Sequence, residues 1–317
     1  MKKKQPLLIV AGPTATGKSD AAVELAARMN GAVISADSMQ VYRGMDIGSA
    51  KITAEEMRGI PHYLIDCVDP SESWNVVRFQ KHAREAVREI AGSGRLPILC
   101  GGTGFYIQAL LYDVDFTEME ENTARRESLQ KIADEKGPQA LHAMLAEKDP
   151  ASAAAIHPGN VKRVIRALEF AGGTGQSIAD HNLEQRAREA AYDAVFFVLT
   201  MERKRLYERI DRRVDLMMER GLLTEVSELR KAGIPRDSTS MQGIGYKQLY
   251  GFLEGEYSLE EAVRLIKRDT RHFAKRQLTW FRRERDVRWV DLDQFPSREA
   301  VWDHMRRTAE EHYLSQV

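Results

Sequence analysis

Gly12-Pro13-Thr14-Ala15-Thr16-Gly17-Lys18-Ser19 is a glycine, four residues, then Gly-Lys-Ser, the spacing of a phosphate-binding loop. Its flanks decide the fold. Leu7-Leu8-Ile9-Val10-Ala11 is a continuous apolar run, as expected of a parallel strand buried on both faces, and Ala21, Ala22, Val23, Leu25, Ala26 and Ala27 read as a helix. Strand, glycine-rich turn and helix N-terminus together make an anion site. Gly12 and Gly17 let the backbone bend and approach closely, and the first helical amides point at the ligand. Lys18 adds a point charge for terminal phosphate oxygens, and the Ser19 hydroxyl suits a magnesium ion. The expected fold is α/β, a parallel-sheet core of the P-loop NTPase or kinase kind, and the expected ligand is phosphorylated.

The 317 residues are long for one compact core and point to two lobes or a domain with an insertion. With 43% apolar and 30% charged residues the chain is globular in composition. Lys plus Arg and Asp plus Glu are both 47, so total charge says nothing about nucleic acid and its distribution must decide. Cys67 and Cys100 offer neither a metal cluster nor a disulfide framework, so a reducing cytoplasm is expected. After the basic start at Met1 the apolar run is only about five residues, too short for a signal peptide or a membrane span.

Ala32-Val33-Ile34-Ser35-Ala36 reads as a second strand and ends at Asp37-Ser38-Met39-Gln40. A carboxylate there sits on the edge where doubly wound sheets bind ligands. Asp37 is therefore either a ligand-site residue or the cap of the next turn. Val41 to Lys51 is a long, polar, glycine-containing loop of the functional kind. Strands are expected at His62–Val68 and Pro97–Cys100, with a helix over Asn75–Gly92 between them. Gly101-Gly102-Thr103-Gly104-Phe105-Tyr106 is a second glycine-rich turn on the ligand edge, where Thr103 is placed to donate to an oxyanion.

From about Asp115 to Ala191 the pattern is helical, with helices at Asn122–Gly137, Pro138–Glu147 and Asn160–Ala171. The last has Asn160 as N-cap and Gly172 just past its end. Lys162, Arg163 and Arg166 lie off its apolar stripe, a pattern more often a solvated face than a binding surface. The division expected is a first part of the core over 1–115, a helical insertion over 116–192, and core completion with basic C-terminal helices over 193–317.

Ala194–Thr200 returns to the buried-strand pattern, followed by a charged helix containing Arg212 and Arg213. Between Val263 and Trp289 basic residues outnumber acidic ones ten to three. Ile266, Phe273 and Trp280 recur every seven residues as anchors of a long helix, while Arg264, Arg268, Arg271 and Lys275 stripe another face. That surplus in a neutral chain suits a phosphate backbone, the rival being pairing with acidic patches elsewhere.

Taken together, the motifs at 12–19, 37–48 and 101–106, with Gln242-Gly243-Ile244-Gly245-Tyr246 and Arg276-Gln277-Leu278-Thr279-Trp280-Phe281-Arg282, resemble the tRNA dimethylallyltransferase family over nearly the whole chain. The resemblance implies transfer of a dimethylallyl group from its diphosphate to N6 of adenine 37 beside the tRNA anticodon. It also implies a kinase-like core carrying a helical insertion that grips the anticodon stem-loop. Two cysteines cannot supply the zinc finger of some eukaryotic relatives, so the bacterial type is expected, as a monomer without a membrane partner.

Gly12 through Ser19 would then cradle the leaving diphosphate with Mg²⁺ at Ser19, joined by Thr103 and by an arginine of the 203–213 helix. Matching the Arg-Ile-Asp-Arg-Arg-Val pattern selects Arg213, with Arg212 left open. Asp37 would accept the N6 proton. Asp37, Ser38, Met39, Gln40 and Thr103 would meet the flipped base, and Gln242, Gly243, Gly245 and Tyr246 would shape its channel. Lys162, Arg163, Arg166, Arg276 and Trp280 are the expected contacts to the rest of the tRNA. The rivals are a P-loop kinase, a prenyltransferase of free adenine nucleotide, and a non-catalytic RNA-binding protein. The intact Lys18 and Asp37 disfavour the last, and the basic helix disfavours the first two.

Overall fold

The computed structural model describes residues 4–116 and 123–315. The chain divides into two compact units, residues 1–111 with 191–317 and residues 112–190.

In the first unit, β1 (Pro6–Ala11) runs into the phosphate-loop stretch and α1 (Lys18–Arg28). Next come β2 (Gly31–Ser35), the short α2 (Ala54–Met57), β3 (His62–Tyr63), α3 (Val76–Gly92), β4 (Leu96–Gly101) and α4 (Gly104–Leu111). The second unit holds α5 (Thr123–Lys136), α6 (Pro138–Lys148), α7 (Pro150–Ala155), α8 (Val161–Thr174) and α9 (Ile178–Ala187). The chain then rejoins the first unit through β5 (Asp193–Thr200), α10 (Arg203–Glu219), α11 (Leu222–Lys231), α12 (Tyr246–Leu253), α13 (Leu259–Phe281), β6 (Val287–Asp291) and α14 (Arg298–Leu314).

The sheet is six-stranded and parallel, in the order β3-β2-β4-β1-β5-β6. Leu8, Val10, Val33, Ile98, Val195 and Phe197 on one face pack with Ala21, Ala22 and Leu25 of α1 and Val301, Met305 and Ala309 of α14. Burial on both faces explains why β1 and β5 read as unbroken apolar runs rather than alternating ones. Ala11 pairs with Gly101 and Val198, and Ser35 with Cys100, so the carboxyl ends of β1, β2 and β4 finish level. That alignment sets three loops side by side on one edge.

The second unit has its own core of Leu129, Ala133, Leu141, Leu145, Val164, Ile165 and Leu168. Asp149 ties it internally, accepting from the Ser152 amide at 3.0 Å and the Ile178 amide at 3.2 Å. At its root, within the first unit, the Ala191 amide donates to the Leu111 carbonyl at 2.8 Å.

Several expectations are corrected. The strand expected at 62–68 shrinks to its first two residues, because Leu64 and Asp66 take left-handed backbone angles (φ 61° and 52°) that no strand accommodates. The basic stretch ends its helix at Phe281, and β6 follows as an edge strand on β5. Helix α8 runs through Gly172 to Thr174 and stops at Gly175 (φ 71°), while Asn160 holds the N-cap position without a side-chain cap bond. Asn122, the expected start of α5, lies outside the described residues, as does the basic start at residues 1–3.

Candidate active site

The loop after β1 has a backbone only certain residues permit. A Cβ on Gly12 would come within 2.8 Å of the Leu199 carbonyl oxygen, so β5 can approach only glycine. Ala15 is left-handed (φ 66°), and the Thr16 hydroxyl donates to the Pro13 carbonyl at 2.8 Å. Gly17 (φ 87°) opens α1 without a side-chain cap, so no capping side chain takes the first amides of the helix. Helix α10 reaches across to this loop. Arg209 Nε donates to the Ala15 carbonyl at 2.8 Å and an Arg213 guanidinium nitrogen to the Thr14 hydroxyl at 3.3 Å. Arg213 is the one of the two candidate arginines turned inward, whereas Arg212 is exposed.

Lys18 follows at the start of α1, with Ser19 partly exposed beside it. Burial pulls the Lys18 ammonium below the usual lysine range, the Asp37 charge opposes that shift, and Arg213 adds to it. Lys18, Asp37 and Arg213 therefore lie within one another's fields. Burial also pushes the Cys100 thiol up to about 12, so it stands beneath the loop as an inert apolar group.

Asp37 serves the turn as well as the edge. Its Oδ1 accepts from the Met39 amide at 2.9 Å, which leaves the second carboxylate oxygen to a ligand. Gly101 brings β4 against this corner, since a Cβ there would sit 2.3 Å from the Ala36 carbonyl oxygen. The Thr103 amide bonds that same oxygen at 3.2 Å, which sets Thr103 next to Asp37. Ser38 and Met39 are partly exposed, and Met39 meets the bare backbone of Gly243. Gln40 is used inside the loop, accepting from Ser35 at 3.2 Å and donating to the Ser49 and Ala50 carbonyls at 3.4 and 3.3 Å. Gln242 is exposed, its amide nitrogen on the Arg236 carbonyl. Tyr246 is fully buried and Gly245 (φ 100°) opens α12 before it.

Glu225 of α11 is a residue the sequence reading missed. Its carboxylate accepts from the Asp46, Ile47 and Gly48 amides at 2.8, 2.7 and 3.0 Å and from the Tyr246 hydroxyl at 2.6 Å. One carboxylate thus pins the 37–51 loop to α11 and α12. Arg209 was missed as well.

On α13 the buried seam is Ala262, Ile266, Ala274, Gln277 and Phe281, with Phe273 and Trp280 partly exposed beside it. A seven-residue recurrence drifts about 20° per heptad on a straight helix, which carries Phe273 and Trp280 off the seam that Ile266 starts. Trp280 instead lies over Gly104, edge-on to Phe105 with ring centroids 6.2 Å apart, and its buried Nε1 has no hydrogen-bond partner among the described residues. The basic surplus divides along the helix. Arg264, Lys267, Arg268 and Arg271 pair with Glu261, Asp215, Asp269 and Asp211. Lys275, Arg276 and Arg283 have no ion pair among the described residues, and with His272, Thr279 and Trp280 they line an open concavity of about 490 Å³. In the second unit Lys162, Arg163 and Arg166 are all exposed on α8.

Two family models match the chain, IPP transferase over residues 40–284 and isopentenyl transferase over residues 5–69. The tRNA dimethylallyltransferase of Lachnoclostridium phytofermentans is 54% identical over 301 residues, 95% of this chain and 96% of its own. That of Bacillus subtilis is 50% identical over 289 residues, 91% of each. Among solved structures, the tRNA isopentenylpyrophosphate transferase of Bacillus halodurans matches with a TM-score of 0.74 at 46% identity, covering 99% of both chains. A eukaryotic dimethylallyltransferase acting on tRNA matches with a TM-score of 0.79 at 28% identity, covering 98% of this chain and 80% of that one.

Proposed function

The chain belongs to the tRNA dimethylallyltransferase (IPP transferase) family and transfers a dimethylallyl group to tRNA, and we propose that the donor is dimethylallyl diphosphate and the acceptor N6 of adenine 37. The observation that carries this reading is the convergence of Lys18, Arg213 and Asp37 on the ligand edge of the sheet.

The chemistry follows from these groups. Adenine's exocyclic amine is a poor nucleophile because its lone pair is delocalised into the ring, so the electrophile must be activated. The allylic carbon becomes electrophilic as diphosphate departs, and negative charge grows on the leaving oxygens. The amides opening α1, with Lys18, Arg213 and the Thr14 and Thr103 hydroxyls, oppose that charge from fixed positions. Asp37 accepts the proton released from N6 through the oxygen not held by the Met39 amide. Ser38 and Met39 meet the extruded base.

Among the described residues no cluster of three or more His, Cys, Asp or Glu would hold a metal unaided. The fitting partner is an ion that takes one hydroxyl, diphosphate oxygens and water, which is the habit of Mg²⁺ with Ser19 as its protein ligand. Bound there it would supply further charge neutralisation to the leaving group. Lys275, Arg276, Arg283 and, in the second unit, Lys162, Arg163 and Arg166 contact the tRNA backbone in this reading. No helix among the described residues is long and apolar enough to cross a membrane, and the reading places the protein in the cytoplasm as a monomer.

The test is incubation with radiolabelled dimethylallyl diphosphate and magnesium, with unmodified tRNA in one tube and AMP in another. Label in tRNA, absent when adenine 37 is replaced, is expected. Label in AMP alone, or ATP consumption without transfer, would overturn the reading.

A further inference from the structure

Gln277 is a buried amide on the core-facing side of α13, and both ends of its side chain are used. Its Oε1 accepts from the Thr14 amide at 3.0 Å, and its Nε2 donates to the Gly102 carbonyl at 2.9 Å. Those partners sit in the two glycine-rich turns, one after β1 and one after β4, on neighbouring strands. A Cβ on Gly102 would fall 2.2 Å from Gln277 Nε2, so the close approach needs glycine there. The groups that face the ligand edge are Thr14 itself, whose hydroxyl takes the Arg213 hydrogen bond, and Thr103, one residue past Gly102.

We propose that Gln277 is a positioning residue for donor binding, bridging the two glycine-rich turns so that the Thr14 and Thr103 hydroxyls are held to one diphosphate. The proposal rests on the diphosphate reading of the loop from Gly12 to Ser19. It assigns the turns different resources. The Thr14 N–H is spent on Gln277, so Thr14 serves the ligand by its hydroxyl alone, and the backbone cradle consists of the amides that follow it. A side chain that accepts and donates at once is required, because the bridge runs from an N–H to a carbonyl. Among side chains of this length only an amide or a protonated carboxyl does both.

The test is calorimetric titration of full-length protein with inorganic diphosphate and magnesium, beside steady-state KM values for dimethylallyl diphosphate and for tRNA. Gln277→Met keeps the volume and removes both bonds. Its affinity for diphosphate is expected to fall roughly 5- to 150-fold, the range of two ordinary hydrogen bonds, with the donor KM rising and the tRNA KM unchanged. Gln277→Glu is expected to bind more weakly still at pH 7.5, where the carboxylate cannot donate to Gly102 and repels the ligand. At pH 5.5 it should recover toward wild type measured at the same pH, as the carboxyl gains a proton.

Equal diphosphate affinity in folded Gln277→Met would overturn the proposal, as would donor and tRNA KM values that worsen together in step with a lowered melting temperature. Should both variants misfold, hydrogen exchange on the wild type decides. The Thr14 amide must exchange slowly before diphosphate is added and be no better protected after. An amide that is fast, or protected only by ligand, refutes the bridge. A wild-type protein that binds no diphosphate removes the cradle reading itself, which is a different failure.

Discussion

The Tyr246 hydroxyl donates to Glu225 at 2.6 Å, and that same carboxylate holds three consecutive amides of the 37–51 loop. Tyr246 is therefore a support for the loop rather than part of its open surface. Burial and the Glu225 charge raise its phenol well above the ordinary range, so it remains a donor at any working pH. Tyr246→Phe leaves a carboxylate short of one partner and is expected to cost roughly 1.5–3 kcal/mol in urea denaturation. Glu225→Ala frees all four donors, so it should cost more and lower kcat/KM for tRNA. A Glu225→Ala protein as stable and active as wild type would refute the support role.

Asp37→Asn separates the two tasks of the aspartate. The amide oxygen still accepts from the Met39 amide, so the turn survives, but an amide takes no proton from N6. Turnover should fall roughly 10²- to 10⁴-fold while tRNA affinity in filter binding stays level. Near-normal turnover would remove the general-base assignment.

Burial and Arg213 hold the Lys18 pKa below the usual lysine range, and a bound diphosphate stabilises the ammonium and raises it again. Between the depressed value of the empty site and the higher value of the filled one, binding takes up a proton. Affinity should therefore decline as pH rises through that window, with proton uptake visible by calorimetry in buffers of different ionisation enthalpy. Lys18→Arg should abolish the uptake, and Lys18→Ala should weaken diphosphate capture at every pH. Absence of proton uptake across the alkaline range would contradict this.

Arg276→Ala and Arg283→Ala should each weaken tRNA binding uniformly across tRNA species and reduce the slope of log Kd against log salt by about one. The same shift is expected for Arg166→Ala in the second unit. Arg264→Ala serves as the control, because its charge is already met by Glu261. An unchanged slope for Arg276→Ala and Arg283→Ala would place the RNA elsewhere.

Gly101→Ala drives a Cβ to 2.3 Å from the Ala36 carbonyl oxygen, which belongs to backbone and cannot step aside like a side chain. A melting-temperature loss equivalent to about 1–3 kcal/mol is expected, with a larger loss of turnover, because the strain separates Asp37 from Thr103. A variant that melts like wild type would show that the two strand ends can part without cost.

The core was readable wherever one stretch carried its own reason. An apolar run before Gly12 and a helix after Ser19 settle the first crossover, and Asp37 and Thr103 lie on the ligand edge because parallel strands end there. Three features were hidden for physical reasons. β6 buries only Val290 as an edge strand, so Val287-Arg288-Trp289 blended into the charged run before it. Gln277 is a polar residue on a buried seam, invisible to any count of apolar spacing. Glu225 acts on amides some 180 positions earlier in the chain, and no local pattern reports a partner at that distance. The C-terminal helix's charge was legible only as a sum. Which half is free depends on Asp211 and Asp215, which face it from α10.

The bond from Ala191 to Leu111 closes the chain of the first unit at the root of the second. The excursion of residues 112–190 leaves and returns at one point, and the sheet needs none of its residues to complete its order. Replacing that stretch would leave the six-strand order, and with it the phosphate loop and the Asp37 corner, built wholly from residues outside it.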